Sequence, residues 1–302
     1  MEEKDVILKL EEILKYTDEK LYLYHLNKIM EISEKNETSE KETNEIFFGV
    51  VETPEEDIER LEVVTDRYIR EGYLQDMPFA NVDLEAKDVV GDNGFNLLYN
   101  ALDDEIFEKF MEEGLLLRFV DGTQIYLDKY HWQSIRFLAK NNNECVGSVR
   151  LIIDNHSLDA NHFPLPTLSD KDIHIDPQWQ ENVKSIKAEL SQFAKAKGPN
   201  APATVSVGLL RAAAQYSRLH GIEEWLATTD NSVVRLLNGF LFNFDLPKIG
   251  PSVKYLGSES TPVYINIEDC IRNAEKKEST KNMALFLRGY NDIPGFEWYK
   301  GI

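Results

Sequence analysis

Apolar residues recur every three or four positions near the start of the chain, among many Glu and Lys residues. This spacing predicts one or two amphipathic helices within residues 3–32. Residues 33–45 contain no apolar side chain, so nothing there offsets the entropy lost on ordering, and they are predicted to be a mobile linker. Together these segments form a predicted N-terminal helical extension, residues 1–46. The helix-spaced apolar residues are Ile7, Leu10, Leu14 and Leu21.

A second helical pattern opens the main domain, which is predicted to span residues 47–268. Thr53 is followed by Pro and two Glu residues, a typical helix start, and the apolar residues after it keep helical spacing. Residues 79–124 hold an amphipathic helix from Asp103 to Glu112 and a short apolar run, and we assign this insertion no role. The helix-spaced residues after Thr53 are Ile58, Leu61, Val64 and Tyr68.

Shorter alternating patterns predict strands along the rest of the domain. Two of them flank Asn141-Asn-Asn-Glu, a typical hairpin turn. The order of strands and helices predicts an α/β (α+β) fold with a mixed, mostly antiparallel sheet flanked by helices. Residues 269–302 are predicted to form a C-terminal helix and tail that pack on this domain. The predicted strands are 133–139, 145–153, 223–229, 252–256 and 263–267, with a helix at 231–240.

The chain is organised around a strand, a loop and a helix between Lys184 and Gly221. The alternation in residues 184–195 predicts a central strand, and the Gly- and Pro-rich residues after it predict a loop. Thr204 is predicted to cap a helix that ends at Gly221, a residue suited to the left-handed conformation. The N-terminus of such a helix suits a phosphate group.

A carboxylate and a hydroxyl are predicted to lie side by side on the central strand. Because successive strand residues point to opposite faces, Glu189, Ser191 and Phe193 share one face. Glu189 is either a catalytic base or a buried carboxylate that pairs with Lys187 or Arg150.

Charge sets this central segment apart from the rest of the chain. The net charge is −20, yet between Val183 and Ile222 six basic residues stand against one acid, Glu189. An isolated basic island suggests a local anionic partner. The acidic balance of the whole chain argues against nucleic-acid binding, which needs a wider basic face. The six basic residues are Lys184, Lys187, Lys195, Lys197, Arg211 and Arg218.

Arg150 stands between apolar residues of a predicted strand, where an unpaired charge would be costly. The sequence leaves two alternatives open. Arg150 either forms an ion pair with Asp128 or another acid, or reaches into a substrate cleft, and one residue can do both.

Other kinds of site find less support. The His- and Asp-rich residues 154–176 follow no compact zinc spacing, so no metal site is predicted. Cys145 and Cys270 are predicted to be packed thiols. No apolar run reaches the roughly 18 residues of a transmembrane helix, and the acidic start after Met1 is unlike a signal peptide. We therefore expect a soluble, cytoplasmic protein without an integral membrane segment, of unspecified oligomeric state.

Several motifs, in their order along the chain, resemble the acyl-carrier-using branch of the GNAT acyltransferases. That branch contains the acyl-homoserine-lactone autoinducer synthases and the long-chain N-acyl amino acid synthases. The resemblance covers residues 60–78 and about 125–268, and residues 65–74 are more similar to the N-acyl amino acid synthases. The motifs are Tyr126-Leu-Asp128-Lys-Tyr, Val146-Gly-Ser-Val-Arg150-Leu, Glu189-x-Ser191, Gly221-Ile-Glu-Glu-Trp-Leu-Ala-Thr-Thr-Asp230 and Lys254-Tyr-Leu-Gly.

The resemblance implies a GNAT-like fold and the transfer of a long-chain acyl group from an acyl-carrier-protein thioester to the amine of an amino acid. Glu189 is the implied base, and Ser191 is its implied catalytic partner. No cofactor is expected to be tightly bound, because the donor brings its own phosphopantetheine, either on acyl carrier protein or as acyl-CoA.

The remaining site assignments fall into three groups. The expected substrate-binding residues are Arg150, Asp128, Tyr68, Tyr73, Phe193 and Trp225. The expected phosphopantetheine-binding residues are Gly198, Asn200, Ala203 and Thr204. The expected carrier-docking residues, all from the basic island, are Lys184, Lys195, Lys197, Arg211 and Arg218.

Three departures from the resembled families narrow the function. Gln192 and Val64 stand where the autoinducer synthases have arginine, and residues 197–204 lack the Q/R-x-x-G-x-G/A loop of coenzyme A users. These departures favour an N-acyl amino acid synthase that uses acyl carrier protein. An autoinducer-type acyl-homoserine-lactone synthase, a CoA-dependent GNAT N-acyltransferase and a non-catalytic acyl-binding or scaffold protein remain alternatives.

Overall fold

A computed structural model of the chain describes residues 45–75, 77–154, 162–198, 200–202, 204–239, 242–291 and 293–301. These residues fall in one of two units, Asn44–Ile302. The predicted helices within residues 3–32 and the predicted linker up to residue 44 lie outside the described residues.

The strands form one large and one small sheet. The large sheet has eight strands in the order β11-β1-β5-β6-β7-β8-β10-β9, and the small sheet has the order β2-β3-β4. The strands are β1 (Ile46–Val50), β2 (Phe79–Val82), β3 (Leu115–Phe119), β4 (Gln124–Leu127), β5 (Ser134–Asn141), β6 (Glu144–Ile153), β7 (Ala188–Lys195), β8 (Glu224–Asp230), β9 (Val253–Tyr255), β10 (Ser258–Asn266) and β11 (Tyr299–Gly301).

Helices lie on both faces of the large sheet. Two short 3-10 turns, His131–Gln133 and Glu278–Thr280, accompany them. The helices are α1 (Pro54–Arg70), α2 (Ala86–Val90), α3 (Gly94–Ala101), α4 (Asp104–Glu113), α5 (Pro166–Ser169), α6 (Gln180–Val183), α7 (Thr204–Leu219), α8 (Asn231–Asn238), α9 (Ile267–Glu275) and α10 (Lys281–Leu287).

Most neighbouring strands of the large sheet are antiparallel. Within the large sheet, the described strands run parallel only in the pairs β1 with β11 and β7 with β8. The predicted fold class, a mixed and mostly antiparallel sheet flanked by helices, is confirmed. The predicted hairpin is also confirmed, because Asn142 and Asn143 join β5 to β6 with φ angles of 51° and 65°, which asparagine adopts more readily than most residues.

Close packing fixes α7 against the large sheet. A Cβ on Gly208 of α7 would lie 2.3 Å from the Phe48 ring, and a Cβ on Gly147 of β6 would lie 2.5 Å from Val205. Helix and sheet therefore approach more closely than larger residues would allow. Side chains of α7 and of the sheet join one large apolar core, which also includes the C-terminal helices.

Helix α1 covers the other face, and it begins as predicted. The Thr53 hydroxyl accepts a hydrogen bond from the Glu56 N–H at 3.2 Å, a typical N-cap contact. Leu61 and Val64 on its buried face are fully enclosed. Leu61 belongs to a second core, formed with the small sheet and helices α2 to α4. Residues 79–124, which had no predicted role, therefore build a module beside α1.

The C-terminal residues pack on the domain, as expected. β11 pairs with β1 and extends the large sheet by one strand. Phe286 of α10 stacks on Phe296 at 4.2 Å between ring centroids. The segment predicted to hold one helix and a tail contains α10 and β11 in addition to most of α9.

The first residues of the predicted central strand are not a strand. α6 ends at Val183, Lys184 keeps helical dihedral angles, and the Ile186 N–H donates to the Val183 carbonyl. Val183 and Ile186 are both buried in a third apolar cluster. The apolar residues Val183 and Ile186 therefore belong to a turn that buries both side chains on one side. The strand β7 begins only at Ala188.

Candidate active site

The two central parallel strands part after one contact. β7 and β8 pair at a single position, Glu189 with Leu226. Beyond that position, a cavity of about 460 Å³ opens between them. The backbone groups on the facing strand edges can therefore bind a ligand that enters between the strands. The strand residues that line the cavity are Leu190, Ser191, Gln192 and Phe193 of β7 and Ala227, Thr228, Thr229 and Asp230 of β8.

A β-bulge at Gln192 helps to separate these strands. Ser191 lies opposite Arg150 and Ala194 lies opposite Ser148, so β7 has one more residue than β6 in this interval. Gln192 has a φ of 49°, which is uncommon for a residue other than glycine. Its side-chain carbonyl accepts a hydrogen bond from Arg60 at 3.0 Å.

Because of the bulge, the predicted orientation of Phe193 is wrong. Regular alternation would place Phe193 on the face of Glu189 and Ser191. The extra residue instead brings Ala194 into register with that face, because Ser148 and Arg150 share a face of β6. Phe193 still lines the cavity, as expected of a substrate-binding residue, and it also contacts the large apolar core.

Glu189 is a buried carboxylate at the point where the strands part. Its side chain is 3% exposed. Thr167 of α5 binds both carboxylate oxygens, through its N–H to Oε2 at 2.9 Å and its hydroxyl to Oε1 at 2.8 Å. Burial raises the pKa of Glu189 to about 7, although the hydrogen bonds from Thr167 favour the ionised form. Glu189 can thus gain and lose a proton near neutral pH.

This raised pKa predicts a pH-dependent loss of stability. Because the folded-state pKa lies near 7 and the ordinary value is 4.5, the folded protein holds the Glu189 proton more tightly. Stability from this group is present below pH 4.5, and about 3 kcal/mol is lost as pH rises through 7. Urea unfolding of the wild type and Glu189→Gln at pH 4.5 and pH 8 measures this difference. Equal pH dependence in the two proteins would contradict the raised pKa.

Arg150 forms the predicted ion pair with Asp128. Its two terminal nitrogens contact the two carboxylate oxygens at 2.8 and 2.6 Å, a bidentate geometry. Burial alone would raise the pKa of Asp128, but the Arg150 guanidinium lowers it below its usual value. Arg150 also lies 3.5 Å from the Ser191 hydroxyl and lines the cavity. The ion pair and the position in the cleft therefore occur together.

Tyrosine side chains form much of the remaining cavity wall. Tyr68 and Tyr73, two of the expected substrate-binding residues, make an edge contact at 5.5 Å, and Tyr68 also contacts Tyr126 at 5.7 Å. Burial raises the pKa of Tyr68 to about 12, so its hydroxyl stays neutral and can donate a hydrogen bond. The tyrosines that line the cavity are Tyr68, Tyr73, Tyr126, Tyr130 and Tyr255.

Two features of the site were not predicted from the sequence. The first is the buried group around Arg60, whose Nε donates to Asp57 at 2.6 Å. The i, i+3 spacing of Asp57 and Arg60 on the apolar face of α1 was the available signal. The second is Thr167, which holds Glu189. The motif Pro164-Leu-Pro-Thr167 is part of the resemblance, but nothing in the local sequence indicates the contact of Thr167 with Glu189, which lies on a strand 22 residues away.

Trp225 does not line the large cavity. Its indole N–H donates to the Ser217 hydroxyl at 3.0 Å, and its side chain lies in the large apolar core. It lines a second cavity of about 40 Å³ that has only apolar surface. Trp225 is thus separated from the other expected substrate-binding residues, which line the large cavity.

The loop after β7 also differs from expectation. Helix α7 begins at Thr204, so Thr204 occupies its first position and not the capping position. The Asn200 carbonyl accepts a hydrogen bond from Asn141, and Gly198 has a φ of 116°. Of the described loop residues, Gly198 and Asn200 do not line the cavity, and Thr204 does not either. Ala203 lies outside the described residues.

The basic island does not form one surface. Arg211 is buried, donates to the Tyr290 and Gly289 carbonyls and to Asn291, and lies between the rings of Phe286 and Tyr299. Arg218 donates to the Leu287 carbonyl. These two arginines hold the C-terminal residues, and the buried Arg211 has no exposed charge to offer a carrier protein. Lys184 is exposed beside Glu181, Lys195 donates to the Ala201 carbonyl, and Lys197 is exposed.

The described residues lack the side-chain cluster of a metal site and the helix of a membrane span. They contain no group of three or more His, Cys, Asp or Glu side chains that could hold a metal ion. No helix among them is long and apolar enough to cross a membrane. Burial raises the pKa of the Cys145 thiol to about 11 and that of the Cys270 thiol to about 12, so neither is an activated nucleophile.

The fold and the cavity define a mixed-sheet α/β protein with a large cavity between two parted parallel strands. No family model matches the chain, and no curated protein matches it. Some solved structures are similar. FeeM, an N-acyl amino acid synthase from uncultured soil microbes, is 12% identical, with a TM-score of 0.43, over 76% of this chain and 93% of that chain.

Two acyl-homoserine-lactone synthases are also similar. LasI is 18% identical, with a TM-score of 0.38, over 54% of this chain and 77% of that chain. BjaI, a CoA-dependent synthase solved with SAM and isopentyl-CoA, is 13% identical, with a TM-score of 0.40, over 85% of this chain and 93% of that chain. These proteins are of the branch that the sequence motifs resemble.

Proposed function

We propose that the protein is an N-acyltransferase that moves a long-chain acyl group from an acyl-carrier-protein thioester to the amine of an amino acid. The observation that carries this proposal is the position of Glu189, a buried carboxylate with a pKa near 7, where β7 and β8 separate around a large cavity. Amide formation needs a base for the ammonium group of the acceptor, donors for the thioester oxygen, and room for an acyl chain.

The parted strands supply the donors. In the proposed complex, the pantetheine arm lies between β7 and β8 and pairs with their free backbone groups, as an added strand would. A backbone N–H of β7 near the bulge polarises the thioester carbonyl. The neutral amine then attacks the carbonyl carbon, and the C–S bond breaks as the thiolate leaves and takes up a proton.

The wall near Arg150 is the proposed acceptor site. Arg150 lines the cavity, and the positive charge of its guanidinium can attract the carboxylate of an amino acid. Asp128 fixes the guanidinium from the other side. Tyr68 and Tyr73 give apolar contact and hydroxyl donors, and Ser191 lies beside Arg150 to order the amine or a water molecule.

The apolar cavity behind the strands is the proposed acyl site. It shares four lining residues with the large cavity, so the two spaces adjoin between β7 and β8. An acyl chain that passes between the strands therefore enters apolar surroundings, which stabilise each buried methylene by about 0.8 kcal/mol. The shared residues are Leu190, Leu210, Leu237 and Ile265.

Filling this apolar cavity should shorten the preferred acyl chain. Ala214 of α7 lines it, and Ala214→Leu adds three carbon atoms to a space of about 40 Å³. We expect kcat/KM for long-chain donors to fall about 10-fold, while short-chain donors, which end before the cavity, react as before. A series of donors that differ in chain length measures this shift, and the short donors are the internal control. An equal loss for all chain lengths would contradict the acyl site.

The donor is proposed to be acyl carrier protein, with acyl-CoA as the second candidate. Of the expected docking residues, Lys184, Lys195 and Lys197 are those not bound to the C-terminal residues, and they are the proposed contacts of an acidic carrier. Gly198, Asn200, Ala203 and Thr204 remain proposed contacts for the phosphate of phosphopantetheine.

Thiol release tests the proposed function directly. The protein is mixed with acyl carrier protein or CoA that carries the same acyl chain, together with single amino acids or S-adenosylmethionine as the amine. We expect thiol release that depends on the amino acid, and an N-acyl amino acid by mass spectrometry. Acyl-homoserine lactone from S-adenosylmethionine would replace the proposal with the autoinducer alternative. No thiol release with any donor would overturn acyl transfer.

A further inference from the structure

Two hydroxyl groups connect Glu189 to the opposite wall of the cavity. The Thr167 hydroxyl donates to Glu189 Oε1 at 2.8 Å and also lies 2.8 Å from the Thr228 hydroxyl. Thr167 is fully buried at the start of α5, whereas Thr228 lines the cavity from β8. The three side chains therefore form a continuous hydrogen-bonded chain from the buried carboxylate to the cavity surface.

The direction of this chain is fixed when Glu189 is ionised. A hydroxyl has one proton, and Thr167 donates its proton to the carboxylate, so the Thr228 hydroxyl must donate to Thr167. The lone pairs of Thr228 are then free to accept a proton from a group in the cavity. Both carboxylate oxygens of Glu189 are already bound by Thr167, and the side chain is 3% exposed. Glu189 also lines the cavity, but the more exposed Thr228 is better placed to meet an amine there.

We infer that Thr228 and Thr167 form a proton relay that carries the amine proton of the acceptor to Glu189. This inference rests on the proposed acyl transfer. The substrate nitrogen gives its proton to Thr228 Oγ1, Thr228 gives its own to Thr167 Oγ1, and Thr167 gives its own to Glu189 Oε1. One N–H bond breaks and one O–H bond forms on Glu189, while both hydroxyls are regenerated. Thr228 is then a catalytic residue, and Thr167 is a positioning residue that also conducts the proton.

Removing the two hydroxyls separately distinguishes their roles. In Thr228→Val the first proton acceptor is lost but Thr167 still donates to Glu189. We expect kcat to fall about 10²-fold with the pH inflection of kcat/KM unchanged, and Thr228→Ser should restore most of the rate. In Thr167→Val a donor to the ionised carboxylate is lost, so kcat falls and the inflection moves up by about one pH unit.

The matched control is Thr229→Val. It removes a hydroxyl from the next residue of β8, which is not one of the three hydrogen-bonded side chains. Its pH inflection should match that of the wild type. Other groups that face Glu189 remain in every variant, so a shift between variants reports on the hydroxyls. These groups are Arg150 of β6, Asp170 after α5, Tyr130 after β4 and Tyr255 of β9.

A second readout needs no activity. The infrared band of the Glu189 carboxyl is isolated by subtracting the spectrum of Glu189→Gln, and its intensity is followed against pH. The midpoint of this titration should move to higher pH in Thr167→Val and stay in place in Thr167→Ser. An unchanged midpoint in Thr167→Val overturns the relay whatever the activity, and so does wild-type kcat in Thr228→Val. If the wild type releases thiol but either of these outcomes is found, the relay is wrong and acyl transfer is still supported. If the titration midpoint shifts but the wild type releases no thiol, acyl transfer is wrong and only the hydrogen bonds among the three side chains are supported.

Discussion

Glu189→Gln should lower kcat by about 10²- to 10⁴-fold, the usual contribution of a positioned general base. Glutamine keeps the shape of the side chain but cannot accept the proton of the attacking amine. The expected loss appears in kcat, because Glu189 lies at the start of the parted strands and the proposed donor contacts are backbone groups further along them. Steady-state kinetics with the acyl thioester and the acceptor amine measure both parameters.

The pH profile gives this prediction a second test. With a pKa near 7 in the folded protein, Glu189 is ionised and active as a base above pH 7 and protonated below it. In the wild type, kcat/KM should therefore rise as pH passes through 7, and this inflection should be absent in Glu189→Gln. Glu259→Gln, at an exposed position of β10, is the matched control and should retain both rate and inflection. A Glu189→Gln variant with wild-type turnover would exclude Glu189 as the base.

Local sequence signals predicted the elements that surround the site. The turn at Asn142 and Asn143 and the start of α1 at Thr53 depend on residues within four positions of each other, so their patterns can be read from the sequence. The face shared by Glu189 and Ser191 also followed from simple alternation, because both residues precede the bulge.

The bulge itself had no local signal. Gln192 adopts a left-handed conformation while Arg60, 132 residues earlier in the chain, binds its side chain. Alternation beyond Gln192 therefore failed for Phe193. A distant partner also explains why docking was predicted for Arg211. Its guanidinium donates to carbonyls about 80 residues further along the chain, which the local sequence does not reveal. The six basic residues are close together along the sequence, but folding distributes their side chains among different partners.

Arg150→Met should cost about 3–5 kcal/mol of the free energy of unfolding at pH 7 to 8, because it leaves Asp128 buried without its partner. The side chains of Arg150 and Asp128 are only 3% and 13% exposed, so water can replace the guanidinium only in part. Removing both charges avoids this penalty. The double variant Arg150→Met with Asp128→Asn should therefore recover most of the lost stability, and urea unfolding of the wild type and both variants measures the difference.

The defect of Arg150→Met should also depend on pH in a defined direction. In the wild type the guanidinium lowers the pKa of Asp128 against the effect of burial, and without it burial raises that pKa. The variant then gains stability as pH falls and Asp128 takes up a proton, so the loss relative to the wild type should be smaller at pH 5 than at pH 8. The double variant has no charge at position 128 and should lack this dependence. A defect below about 1 kcal/mol at pH 8 is the size expected of a solvent-exposed pair, and it would show that the ion pair is not a buried support of the acceptor site.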